Sequence, residues 1–170
     1  MWAVFSDAGI FMIFVTVGTQ KFPFDRLIKM IDEAAASGNL KDSIYMQKGV
    51  GEYVPQNCGY VDFCSNEEFV RHIDNCRLLI THSGVGTIMK GLERKKPVII
   101  VPRLARYGEH VDDHQLQVAG VFAANRYCMV FKEEDSILDL IDRSKSYKFK
   151  EYISHREKII EELNHFISRI

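Results

Sequence analysis

The chain has 170 residues, 46% of them apolar and 11% aromatic, enough to bury one substantial core and too few for two large domains. Its 22 basic and 23 acidic residues leave a formal net charge of −1, which excludes a global field that recruits nucleic acid or anionic lipid, so a local site must carry the function. No run approaches the ~20 apolar residues that span a bilayer, and Met1 to Phe11 lacks the basic stretch of a signal peptide. Cys58, Cys64, Cys76 and Cys128 form no CxxC pair and read as reduced, packed thiols of a cytoplasmic protein.

Residues 1–11 precede a second methionine, Met12, and are set apart as an N-terminal extension. Ile13 to Val17 is a continuous apolar run closed by Gly18, which predicts a strand; Phe24, Leu27, Ile28 and Ile31 then repeat at helical spacing as far as Ser37-Gly38. A second strand is predicted at Ser43 to Gln47, before the turn-prone Lys48-Gly49-Val50-Gly51, and a short third at Tyr60 to Phe63. Ser65 and Glu68 have capping-box spacing, predicting a helix over Asn66 to Asn75. Leu78 to Thr81 is the next strand, followed by a glycine loop that opens a helix ending near Arg94. Pro97 to Val101 is another strand, then come a long polar loop, a helix over Asp112 to Ala124, a strand at Tyr127 to Phe131 and a short helix from Ser136 to Asp142. Tyr152, Ile159, Ile160, Leu163, Phe166, Ile167 and Ile170 share one stripe, predicting an amphipathic helix over 147–170 that closes its own domain or docks on a partner. Strands separated by helical patterns predict a single Rossmann-like domain over 12–146, an α/β fold with a doubly wound parallel sheet.

In such a sheet, ligands bind outside the carboxyl ends of the strands, so the loops there are the candidate sites. His82-Ser83-Gly84-Val85-Gly86-Thr87 combines glycines that admit a ligand with a helix N-terminus whose free N–H groups favour an anion such as a diphosphate. It lacks the GK[ST] of a Walker loop and is not a GxGxxG fingerprint. The loop Pro102 to Gln115 is dense in donors and acceptors: Asp113 and Gln115 suit two hydroxyls of a hexose, while a solvated loop leading into a helix explains the same composition equally well. Glu109, His110 and His114 have no zinc-like spacing, and no metal is expected. Gly18-Thr19-Gln20 is a third candidate, a glycine turn with a hydroxyl at the ligand-facing edge.

Taken in order, these motifs resemble a known family. ITHSGVGTIMKGLERKKPVIIVPR followed by DDHQ resembles the C-terminal, nucleotide-sugar-binding half of family 28 glycosyltransferases. The opening MIFVTVGTQKFPFDRLI is similar to the start of the small catalytic subunit of the two-subunit UDP-GlcNAc transferase of dolichol-linked glycan assembly, and PRLARYGEHVDDHQ to PssE-like subunits of exopolysaccharide and capsule synthesis.

The resemblance implies the donor-binding half of a GT-B enzyme. Ser83, Gly84, Gly86 and Thr87, with Gly18 and Thr19, would hold the diphosphate of a UDP-sugar, and Glu109, Asp113, His114 and Gln115 the sugar. Arg103 and Arg106 are candidate phosphate contacts, and His82 and His110 the local candidates for the general base of an inverting displacement. No DxD motif is present, so the UDP-sugar is substrate and no cofactor is implied. One departure stands out: where family 28 enzymes carry a ribose-binding carboxylate, three residues after the glycine-loop hydroxyl, this sequence has Lys90, with Glu93 one turn further on. Because a GT-B cleft lies between two domains, the resemblance also implies a PssD-like, membrane-anchored partner that presents a polyprenyl-diphosphate-linked acceptor at the cytoplasmic face. A non-catalytic nucleotide-sugar-binding or assembly subunit is the alternative.

Overall fold

A computed structural model of the chain describes residues 12–154; the extension over 1–11 and most of the expected terminal helix, 155–170, lie outside the described residues. In chain order the elements are β1 (Met12–Thr16), α1 (Asp25–Ala36), β2 (Ser43–Gln47), β3 (Gly59–Val61), α2 (Asn66–Asn75), β4 (Cys76–Thr81), α3 (Val85–Glu93), β5 (Val98–Ile100), α4 (His114–Ala124), β6 (Met129–Val130) and α5 (Ile137–Arg143). A single 3-10 turn, Ala105–Tyr107, interrupts the loop before α4.

The six strands pair in parallel in the order β3-β2-β1-β4-β5-β6. The sheet is therefore the expected doubly wound one, and its order reverses between β1 and β4, which opens a crevice at their carboxyl ends. Ile13 and Val15 of β1 and Leu78 and Ile80 of β4 join a core layer with Leu27, Ile28 and Ile31 of α1 and Leu140 and Ile141 of α5. Phe14 and Leu79 belong to the opposite layer, with Ile73 of α2, Ile88 and Leu92 of α3 and Ala119 of α4. Burial on both faces is why these strands read as unbroken apolar runs rather than as alternating ones. The Ser65/Glu68 capping box forms as expected, the Glu68 N–H donating to Ser65 Oγ at 3.2 Å and the Ser65 N–H to Glu68 Oε2 at 3.0 Å.

Local hydrogen bonds explain where the elements fall short of the sequence expectation. Strand β6 begins only at Met129 because the Tyr127 N–H donates to Phe122 O at 3.0 Å, closing the end of α4. Helix α4 starts at His114 rather than Asp112, since Asp112 Oδ1 accepts the His114 N–H from outside the helix. The expected terminal helix does not begin at 147: residues 147–154 contain no helical turn. There the Lys150 N–H donates to Arg126 O at 2.9 Å and the Tyr152 ring meets Tyr127 edge-on at 5.7 Å. Tyr147 and Phe149 pack against the α1/α5 core layer, so the folded body extends past residue 146 to Tyr152. All four cysteines are free, with Cys76 and Cys128 buried.

Candidate functional site

The crevice begins where β1 ends. Thr16, fully buried, donates its hydroxyl to the side-chain carbonyl of Gln47, and the Gln47 amide donates to Gly18 O at 2.9 Å. This fixes the Gly18 turn, which lies at φ +75°, a conformation glycine adopts without strain. A β-carbon at Gly18 would collide with the His82 ring, and one at Gly84 would strike the same ring. The imidazole thus lies between two glycines, at the point where the chain leaves β4.

Helix α3 starts at Val85 with Gly84 as its N-cap, and no side chain caps it. The Thr87 and Ile88 N–H groups donate to Gly84 O at 3.1 Å, while those of Val85 and Gly86 have no intrahelical acceptor, so the helix start presents partial positive charge to the crevice. Ser83 is buried and its Oγ has no hydrogen-bond partner. Gly86 is exposed, with open space where a β-carbon would sit. Together with Gly18, Thr19 and Gln20, the residues Gly84, Gly86 and Thr87 line a cleft of about 460 Å³. Its remaining wall comes from Gln47, Cys64, Asn66, Phe69, His82 and Lys90.

His82 is only 5% exposed, and its pKa is pulled down to about 4, first by burial and then by the neighbouring charges of Arg103 and His110. It is a neutral imidazole at pH 7. The ring is wedged between Gly18 and Gly84 and its Nδ1 lies 3.4 Å from the Gln115 amide nitrogen, an arrangement that holds it in place beside the cleft. His110 is near this ring but does not line the cleft, and its Nδ1 lies 3.0 Å from Asp112 Oδ1.

Several residues from the polar loop hold the site up rather than line it. Arg103, expected on phosphate, is fully buried; its guanidinium donates to the carbonyls of Val17 and Phe22 at 2.8 Å and of Glu109 at 3.1 Å. Burial lowers its pKa to about 10, against the pull of Glu109, and it remains a cation at pH 7. Glu109, expected on sugar, is buried as well: its two oxygens accept from Arg26, and Oε2 also takes the Leu104 N–H. Gln115 Oε1 accepts the N–H groups of Ser83 at 3.2 Å and Arg103 at 3.0 Å, and its amide nitrogen lies 3.4 Å from His82 Nδ1. These three side chains are committed inward because the ends of β1, β4 and β5 carry buried backbone groups that need partners.

Asp113 and Arg106 belong to a second cleft of about 390 Å³, beside β6. There Arg106 pairs with Glu133, and Asp113 Oδ1 accepts the Ala105 N–H. His114 is exposed, its Nδ1 3.3 Å from Gln117 Oε1. The structure thus brings Gly18, Thr19, His82, Gly84, Gly86 and Thr87 to one cleft and disperses the rest. The sequence expectation missed Gln47, Asn66 and Phe69. The capping box that starts α2 and the end of β2 were the available signals, since both mark carboxyl edges of strands. Among the described residues, no three His, Cys, Asp or Glu side chains converge as a metal site.

The model of the glycosyltransferase family 28 C-terminal domain matches residues 12–165. The chain belongs to this family. Among curated relatives, the UDP-N-acetylglucosamine transferase subunit ALG13 of Candida albicans is 29% identical over 89 residues, 51% of this chain and 29% of the relative. A UDP-N-acetylglucosamine--N-acetylmuramyl-(pentapeptide) pyrophosphoryl-undecaprenol N-acetylglucosamine transferase of Prochlorococcus marinus is 26% identical over 109 residues, 62% of this chain and 29% of the relative. The chain therefore spans less than a third of the length of these relatives. In three dimensions it is similar to a solution structure of ALG13, with a TM-score of 0.56 and 20% identity, covering 91% of this chain and 94% of that one. It is similar too to the kitacinnamycin glycotransferase, with a TM-score of 0.60 and 16% identity, covering 84% of this chain and 35% of that one. The family 28 domain described here has the fold of the C-terminal half of a GT-B glycosyltransferase.

Proposed function

We propose that this chain is the donor-binding, catalytic subunit of an inverting glycosyltransferase, holding a UDP-sugar in the β1/β4 crevice. The observation that carries the reading is the uncapped N-terminus of α3, where Gly86 leaves open space and Gly18 faces it across the switch point of the sheet. Gly18, Thr19, Gly84, Gly86 and Thr87 contact the diphosphate, with the hydroxyl of Ser83 beneath them. The helix N-terminus takes up the charge that develops on the departing UDP, a preorganised electrostatic role. On the family resemblance, the sugar extends out of the crevice towards Asp113 and His114, which are exposed at the start of α4 and do not line the crevice itself.

We assign the general base to a second subunit, because the His82 ring is buried and neutral and His110 does not line the crevice. That partner is a PssD-like, membrane-anchored protein presenting a polyprenyl-diphosphate-linked acceptor at the cytoplasmic face. The product is a hexose or hexuronate linkage in exopolysaccharide or capsule synthesis. Two relatives support parts of this reading: one is named a UDP-N-acetylglucosamine transferase subunit, and the name of the other, an N-acetylglucosamine transferase, includes a pyrophosphoryl-undecaprenol-linked acceptor. Among the described residues no helix is long and apolar enough to cross a membrane, consistent with recruitment through a partner.

The test is transfer from a set of labelled UDP-sugars to a lipid-linked acceptor by the chain alone, by the co-expressed partner alone and by the two together. Transfer only by the pair is the expected result. Full transfer by the chain alone overturns the two-subunit reading. Transfer that survives when the cleft of this chain is blocked favours the assembly-subunit alternative.

A further inference from the structure

Lys90 is the one charged side chain lining the β1/β4 cleft among the described residues, since His82 is neutral there. It sits on α3 four residues after Gly86 and three after Thr87, and therefore on the same helical face as the open N-terminus. Side chains on a helix lean toward its N-terminus, which aims this one along the floor of the cleft.

The partners of its ammonium are neutral. Nζ donates to Asn66 Oδ1 at 2.9 Å and lies 5.1 Å from the centre of the Phe69 ring. Other lysines of the domain face carboxylates: Lys48 meets Asp62 at 3.0 Å, and Lys95 meets Glu151 at 2.6 Å. Lys90 is half-buried, oriented by an amide oxygen and an aromatic face, and its charge is not neutralised by any carboxylate of the described residues. A cation held in this way is preorganised for an anionic ligand.

We infer that Lys90 is a diphosphate-binding residue of the donor cleft, adding a full positive charge to the partial charges of the α3 N-terminus. The inference rests on the reading of the cleft as a nucleotide site and goes beyond it in naming what supplies the charge. A side chain that read the ribose would instead need to accept hydrogen bonds from hydroxyl groups, and an ammonium has no acceptor. Lys90 thus selects for the charged end of the ligand. Asn66 and Phe69 act through it as positioning residues.

The experiment is a calorimetric titration of the full chain with UDP and, separately, with inorganic pyrophosphate, for the wild type and for Lys90→Arg, Lys90→Gln and Lys90→Glu. Lys90→Gln keeps a donor for Asn66 and preserves the fold, which the unfolding midpoint verifies. Loss of one charge-assisted contact weakens both ligands about tenfold in the Gln variant, more in the Glu variant, and little in the Arg variant. Unchanged pyrophosphate binding by Lys90→Gln, or tighter UDP binding by Lys90→Glu, overturns the inference and returns the position to ribose recognition. If the wild type binds neither ligand, the nucleotide reading of the cleft fails first, an outcome distinct from a wild type that binds and variants that do not differ.

Discussion

The side-chain carbonyl of Gln115 accepts the backbone N–H of Ser83, at 3.2 Å, and thereby ties the loop after β4 to the start of α4. The same oxygen accepts the Arg103 N–H, so one buried amide joins the glycine loop to the loop after β5. Replacing Gln115 with Leu leaves two buried N–H groups unpaired, and each is worth about 1–3 kcal/mol. The expected outcome is a loss of about 2–6 kcal/mol of stability, together with weaker UDP binding. A residue that only met the sugar would leave stability unchanged, so chemical denaturation separates the two roles.

The arginines of the polar loop should behave oppositely. Arg103→Met removes a buried cation whose guanidinium donates to the backbone carbonyls of Val17, Phe22 and Glu109. Leaving those carbonyls without their donor costs about 3–5 kcal/mol. Arg106→Ala removes an exposed pair with Glu133 and should change stability by less than about 1 kcal/mol. Urea titrations of the two variants side by side measure the contrast.

Stability should depend on pH through His82. Its pKa in the folded protein is about 4, below the ordinary 6.5, so the unfolded chain binds this proton first as pH falls. The contribution of the neutral ring is fully present above about pH 6.5 and is lost as pH drops toward 4, by up to about 3 kcal/mol. Denaturation curves between pH 4 and 7 should show this slope in the wild type and a flatter profile in His82→Asn.

Gly86 and Gly18 should also separate. Alanine at Gly86 meets no atom of the protein and improves helix propensity by up to about 1 kcal/mol, yet it fills the space that the diphosphate needs. Gly86→Ala should therefore be at least as stable as wild type while losing UDP binding. Gly18→Ala should be destabilised outright, because it combines positive φ with a collision against His82. Thermal melts and UDP titrations of the two variants test the pair.

The sheet, its helices and the glycine loop were legible in the sequence because each rests on a local signal. Ile13 to Val17 is apolar throughout, Ser65 and Glu68 have capping spacing, and Gly84 and Gly86 flank a helix start. The roles of Arg103, Glu109 and Gln115 were not legible. All three are polar and lie in a loop, which resembles a solvated binding segment until the ends of three strands converge on it and claim its hydrogen bonds. Phe69 and Asn66 escaped for the complementary reason: they enter the cleft from α2, and only the pairing of β3 beyond β2 brings that helix start to the same edge. Lys90 was legible as a departure from the family pattern, while its neutral partners became visible only in three dimensions.

The most direct test of the account is a UDP titration of the isotope-labelled chain followed through its backbone amide resonances. If the crevice holds the nucleotide, shifts concentrate at Gly18, Thr19, Ser83 to Thr87 and Lys90, the residues around it. Absence of shifts, or shifts confined to the second cleft around Arg26, Arg106 and Lys132, would contradict it.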